Sequence, residues 1–284
     1  MAIEVRRATP EDVPELGRVC YEAFKDISES HGFLSDFASV EFAQQVVGMM
    51  VQREDVYSVG AFDGAAPRGS NFVNMWGEVA GIGPVSVDVN AQGQGIGRLT
   101  MQDVVAHARG AGYDMIRLVQ DSFNMQSLAL YASLGFDVKE PMSYLALSDK
   151  NGAGPNVRPA TADDLDAMDE LCRSVYRVSR RGECDVALQV GFPGFVLERS
   201  GRIAGYLFGF GLGHGVAEST EDMIVLMNAL GANVSESHAF VPLRNGELYR
   251  AALAAGHRNQ KVCNLMAFGP YEEPQGTYCP SFMF

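Results

Sequence analysis

Residues Gln92, Gly93, Gln94, Gly95, Ile96 and Gly97 stand between a strand-like run, Val85–Val89, and a helix-like run from Arg98 to about His107. A glycine turn that leads straight from a strand into a helix leaves several backbone N–H groups unpaired. It aims them, together with the helix dipole, at one spot. The natural occupant of that spot is a phosphate or pyrophosphate. Glycine matters here because a Cβ would hold the phosphate away from the backbone. The chain is therefore expected to be an α/β (α+β) protein with an anion site at the end of a strand.

Three glycine-rich loops answer to this description. A P-loop needs Gly-Lys-Ser/Thr, which is absent. A dinucleotide fingerprint needs a third glycine where Arg98 stands, and an acidic residue about 20 positions further on. The strand Met115–Val119 runs into Gln120 before Asp121, so the second condition is ambiguous. The third pattern, Gln/Arg-x-x-Gly-x-Gly/Ala, is met by Gln92, Gly95 and Gly97. Downstream come Asn124, then Leu128-Ala129-Leu130-Tyr131, then Leu134-Gly135-Phe136. Gly135 suits a helix C-cap. Leu128, Tyr131 and Leu134 fall at helical spacing, which also fits a core stripe with Tyr131 as a packing residue.

In this order the two segments resemble the acyl-CoA loop and the Asn…Leu-Tyr…Gly-Phe segment of the GNAT acetyltransferase superfamily. The resemblance is clear over residues 80–136 and looser elsewhere. It implies an acyl-CoA-binding domain over residues 1–148, built on a mixed, splayed sheet flanked by helices. It also implies acetyl-CoA as cosubstrate and direct transfer of the acetyl group to an amine of a small molecule or protein. A module that only senses acyl-CoA is the alternative. Under this resemblance Gln92, Gly93 and the backbone of Gln94, Gly95, Ile96, Gly97 and Arg98 hold the pyrophosphate. Val87 and Val89 pair with the pantetheine amides, and an N–H near Val87 serves the oxyanion. Tyr131 protonates the leaving thiolate, and Asn124 orients the pantetheine arm or a water.

For the general base the first choice is Glu78, just before the splayed strand. Asp88 and a base acting through water are the alternatives, and a solvated surface role fits Glu78 equally well. The acceptor pocket is expected along Lys25–Phe33, between the first two helices, where acidic, histidine and aromatic side chains mix.

Net charge is −13, which argues against a nucleic-acid surface. The five histidines are scattered without metal-ligand spacing, so no metal is expected. The five cysteines form no Cys-x-x-Cys pair and read as reduced thiols. No leader-like start and no membrane-length apolar run is present, so the reading is soluble and cytoplasmic. The oligomeric state is open, with a homodimer compatible.

The chain also repeats itself. Val5-Arg6-Arg7-Ala8-Thr9 and the following Asp12 match Val157-Arg158-Pro159-Ala160-Thr161 and Asp164. Both read as a strand, a Thr N-cap with a capping-box acid, and an amphipathic helix. Later, Asn124, Gly135 and Phe136 match Asn245, Gly256 and His257. Two related domains are therefore expected, 1–148 and 156–284, joined by a linker at 149–155. The second lacks the phosphate turn. In its place stand Gly213 to Asp222 with three acidic residues, and Ala252 matches Tyr131. It is expected not to bind acyl-CoA, and either completes the acceptor pocket or buttresses the first domain. Within the first domain the expected elements are a strand at Val5–Arg7, helices from Glu11 to about Phe24 and Val40 to about Gln52, and strands Val56–Phe62, Asn71–Trp76 and Ala80–Val89. Gly81, Gly83 and Pro84 interrupt the last of these, which points to a bulge or splayed edge.

Overall fold

In the computed structural model, which describes residues 3–209 and 214–282, β1 (Glu4–Arg7) passes through a short 3₁₀ turn at Pro10–Asp12 into α1 (Val13–Ser30). Thr9 and Asp12 close a capping box, and Arg6 grips Asp12 with two hydrogen bonds of 2.7 and 2.8 Å. The later repeat builds the same device. Thr161 and Asp164 form the box, and Arg158 grips Asp164 at 2.8 and 2.7 Å. Hydrogen bonds from the arginines, opposed in part by burial, hold both carboxyls down at about 2. An unfolded Asp titrates near 3.8, so each carboxylate contributes stability above that pH and loses it as pH falls through about 2. Asp12→Asn and Asp164→Asn are each expected to cost about 1–2 kcal/mol at pH 7, allowing for the partly exposed arginines. In denaturant titrations that deficit should close toward pH 2.

One compact unit comprises Met1–Met75, Ala80–Ile116 and Phe123–Asp137. Its sheet pairs β1 with β2 (Val56–Asp63) and β2 with β3 (Ala66–Asn74), both antiparallel. The β2–β3 turn is the expected Asp63-Gly64 hairpin, with Gly64 at φ 61°. α1 buries Leu16, Val19, Cys20 and Ala23, and Gly17 lets α2 (Val40–Gln52) come close: a Cβ there would stand 2.6 Å from Gln44. Ser39 caps α2, its Oγ accepting from Phe42 N at 3.2 Å. α1 runs six residues past the expected end at Phe24. Its surface supports this with the i,i+4 pairs Arg18–Glu22 and Lys25–Glu29, and the helix stops where Gly32 turns to φ 79°. Lys25–Ser30 is thus helix rather than the expected inter-helix loop.

The expected strand Ala80–Val89 is broken. β4 (Ala80–Ile82) and β5 (Ser86–Val87) both pair antiparallel with β3, through Val73↔Ile82 and Ser70↔Ser86. Between these pairs Gly83, Pro84 and Val85 oppose only Asn71 and Phe72, so one extra residue is pushed out. Val89 lies beyond the strand, opening a 3₁₀ turn at Val89–Ala91. α3 (Ile96–Gly110) follows, and α4 (Met125–Ser133) completes this unit.

The second unit comprises Trp76–Val79, Arg117–Ser122 and Val138–Phe284, so the compact units do not part at 149–155. Its first sheet runs β6 (Ile116–Asp121), β13 (Arg258–Phe268), β7 (Asp137–Ala146), β12 (His238–Pro242). A strand of the later repeat therefore lies between two strands of the earlier one. Polar contacts fix this exchange. Ser122 N and Oγ both donate to Val262 O, and Lys261 Nζ meets Asp121 at 2.8 Å. The second sheet runs β14 (Thr277–Cys279), β11 (Gly215–Ala217), β10 (Arg202–Phe208), β9 (Gly194–Arg199), β8 (Val157–Pro159). α5 (Leu165–Tyr176), α6 (Arg181–Gln189), α7 (Thr220–Asn233) and α8 (Gly246–Ala254) complete the unit. The core of α7 and α8 against this sheet includes Leu197, Leu207, Met223, Leu226 and Leu248. All five cysteines are buried and free of disulfides.

Candidate functional site

Three elements of the first unit converge on one spot. A Cβ placed on Gly97, in the first turn of α3, would lie 3.2 Å from Leu130 Cδ2 of α4 and 3.6 Å from Val87 Cγ2 of β5. The glycine turn, the broken strand and the helix that carries Tyr131 therefore meet. The three glycines of the turn have different duties. Gly93 and Gly95 hold φ of 76° and 84°, a region that other residues enter at a cost, and the space a Cβ would take beside each is open. Gly97 instead lets α3 pack closely.

The helix start is left open. Gly95 is the N-cap of α3 and supplies no side-chain cap, and the first backbone donor of the helix to find a carbonyl is Leu99 N, to Gly95 O at 3.1 Å. The N–H groups of Gly93, Gln94, Gly95, Ile96, Gly97 and Arg98 have no protein acceptor among the described residues. This is the chemistry an anion uses. The matching helix of the later repeat is closed. Ser219 caps α7 by accepting from Asp222 N at 3.1 Å, and Glu221 and Asp222 add negative charge to its first turn. Asp222 also pairs with Arg199 at 2.9 Å. Gly213, at the head of that segment, lies outside the described residues.

β5 turns a free backbone edge outward at Val87. Asp88 N donates to Arg68 O of β3 at 2.8 Å, so by the alternation of an antiparallel ladder the N–H and C=O of Val87 point away from β3. Gln92 Nε2 approaches Val87 O at a long 3.5 Å. Val87 lies on β5, whereas Val89 lies in the 3₁₀ turn that follows it.

Asn124 stands at the start of α4. Its Oδ1 accepts from Ser127 N at 3.0 Å and caps α4. Asn245 does the same for α8, accepting from Leu248 N at 3.0 Å. The shared asparagine is explained by capping. The helix ends also correspond. Gly135 and Gly256 sit at φ 94° and 89°, and Phe136 N and His257 N reach back to Tyr131 O and Ala252 O, each at 3.1 Å. Tyr131 is 7% exposed and tilted against Phe136 at 6.3 Å.

Both expected carboxylate bases sit in ion pairs. Glu78 belongs to the second unit, where Arg173 holds it at 2.7 Å and Ser179 N donates to it at 3.2 Å. Asp88 pairs with Arg68 at 2.8 Å and caps the 3₁₀ turn by accepting from Asn90 N at 2.9 Å. Burial raises the Asp88 pKa, but Asn90 and Arg68 outweigh it and leave the group lowered. A carboxylate stabilised in this way is a poor proton acceptor. Sequence spacing gave no sign of the Arg68–Asp88 pair, which joins β3 to the residue just past β5. In the expected acceptor segment, His31 and Phe33 both stack on Phe123, at 5.2 and 4.5 Å between ring centres. The described residues hold no cluster of histidine, cysteine and acidic side chains suited to a metal, and no helix among them is long and apolar enough to cross a membrane.

An open helix N-terminus beside a broken strand offers backbone donors suited to an anion. Residues 4–136 match the acetyltransferase (GNAT) family, and that segment is a GNAT acetyltransferase domain. No curated protein matches the chain in sequence. Among solved structures, a provisionally named acetyltransferase from Pyrococcus horikoshii is 17% identical over 99% of this chain and 94% of its own, with a TM-score of 0.79. A GCN5-related N-acetyltransferase from Sphaerobacter thermophilus is 15% identical over 97% and 98%, at 0.64. Another from Anabaena variabilis is 12% identical over 94% and 72%, at 0.58. At such identities the likeness is one of fold, and it extends over both repeats.

Proposed function

We propose that the chain transfers an acetyl group from acetyl-CoA directly to an amine, with one acyl-CoA site per chain, in the first unit. The observation that carries this reading is the uncapped start of α3 beside the outward edge of Val87. The N–H groups of Gly93 to Arg98 take the pyrophosphate, and Gln92 steadies the turn through Val87. The N–H and C=O of Val87 pair with the pantetheine amides, which thread the gap left by the bulge at Gly83–Val85. A backbone N–H of this strand supplies the oxyanion donor. Tyr131 is the general acid for the leaving thiolate, and Asn124 fixes the helix that carries it. With Glu78 and Asp88 both held in ion pairs, the amine loses its proton through water. A net charge of −13 attracts a cationic acceptor.

The second repeat is a degenerate copy. Its helix α7 is capped by Ser219 and acidic in its first turn, and Ala252 has no hydroxyl to offer.

The test is release of free CoA thiol from acetyl-CoA in the presence of a panel of primary amines, with the native protein and with Gly95→Glu. A carboxylate at the helix start repels the pyrophosphate, and φ 84° disfavours a side chain there. Amine-dependent release by the native protein, lost in a variant that still melts cooperatively, is the expected result. Binding without release to any amine would favour a sensor instead. Undiminished turnover by Gly95→Glu would contradict the placement of the site.

A further inference from the structure

The first turn of α3 carries an arginine whose charge is not matched by any carboxylate among the described residues. In the first unit Arg6, Arg18, Arg53 and Arg68 each pair with an acidic side chain, Lys25 pairs with Glu29, and Arg7 lies over the Tyr57 ring. Arg98 is exposed, and among the described residues its guanidinium has one partner, Ser133 Oγ, at 2.8 Å. The Ser133 hydroxyl donates to Leu130 O at 2.7 Å, so it is oriented to accept from Arg98. The anchor joins the start of α3 to the end of α4, next to the place where Leu130 meets Gly97. One N–H is spent on holding the side chain, and the rest of the fork is left facing solvent. In an acidic chain, a cation held in position without a carboxylate is suited to an anion from outside.

Coenzyme A carries two anionic groups. One is the pyrophosphate, for which the turn already supplies backbone donors. The other is the phosphate monoester on the 3′ carbon of the adenosine ribose. It lies on the opposite side of the pyrophosphate from the pantetheine arm.

We infer that Arg98, held by Ser133, binds the ribose 3′-phosphate and makes the site prefer CoA over dephospho-CoA. This rests on the acyl-CoA reading above. An arginine reads a phosphate through charge-assisted hydrogen bonds that backbone N–H groups cannot replace. Exposure to solvent moderates the gain, so the preference is about tenfold.

The test is calorimetric titration of CoA and of dephospho-CoA into the native protein and into Arg98→Ala. The native protein should bind CoA about tenfold more tightly. Arg98→Ala should bind the two ligands equally, at the native affinity for dephospho-CoA. A variant that keeps the preference would overturn the inference, as would a native protein that shows none. A variant that loses affinity for both ligands alike would also overturn it, because Arg98 would then serve the pyrophosphate. A native protein that binds neither ligand would remove the acyl-CoA reading itself, and the inference with it.

Discussion

Tyr131→Phe is expected to bind acetyl-CoA as the native protein does and to turn it over ~10²–10⁴-fold more slowly. The ring is buried on α4 against Phe136, and phenylalanine keeps that packing. Only the hydroxyl is removed. The neighbouring Leu130 lies against the first turn of α3 at Gly97, an apolar contact between α4 and the site that the substitution leaves intact. The effect should therefore fall on kcat, while the acetyl-CoA dissociation constant stays within about threefold. Steady-state thiol release and calorimetry on the same preparation separate the two. A variant within about threefold of native kcat would mean that another group protonates the thiolate.

Glu183→Gln is expected to destabilise the chain by about 3–5 kcal/mol. Arg180, Glu183 and His214 are all buried in the second unit. Arg180 binds Glu183 closely and also donates to Ser281 Oγ at 3.0 Å. Glu183 faces His214 Nδ1 at 3.5 Å, and His214 Nε2 meets the Tyr206 hydroxyl at 2.7 Å. Burial alone would raise the Glu183 pKa, but the Arg180 charge and His214 bring it down to about 2. Removing the carboxylate strands the arginine without its counter-charge. For His214, burial and the Arg180 charge lower the pKa to about 4. Its ordinary value is 6.5, so the neutral folded form contributes stability that is whole above that pH and declines as pH falls toward 4. Denaturant titrations at pH 7 give the first effect. A series from pH 7 to 4 gives the second, as a fall in native stability of about 3 kcal/mol.

Local signals carried much of this molecule. The capping residues Thr9 and Thr161, the helix from Val40 to Gln52 and the hairpin at Asp63-Gly64 were readable because each depends on a few neighbouring residues. The glycine turn was readable for the same reason, since positive φ at Gly93 and Gly95 leaves few alternatives. Long-range pairing was not readable. Nothing in Arg258–Phe268 says that it inserts between β6 and β7, because any apolar strand of that length satisfies the same alternation. The ion pairs that occupy Glu78 and Asp88 were hidden in the same way, with partners 95 and 20 residues distant. The end of α1 was misjudged because its last turns are polar and so lack an apolar stripe, yet i,i+4 pairs sustain the helix. Asn124 was legible in the sequence only through a family resemblance, with no sign of the cap it places on α4 or of the Ser127 N–H it accepts from.

Under the proposed function, one unit of this chain is an acyl-CoA site and the second repeat has no such site. Calorimetric titration of acetyl-CoA into the native protein tests it most directly. Saturable binding at one site per chain is expected. Two sites per chain would contradict the closed helix start assigned to α7, and no binding would contradict the open one assigned to α3.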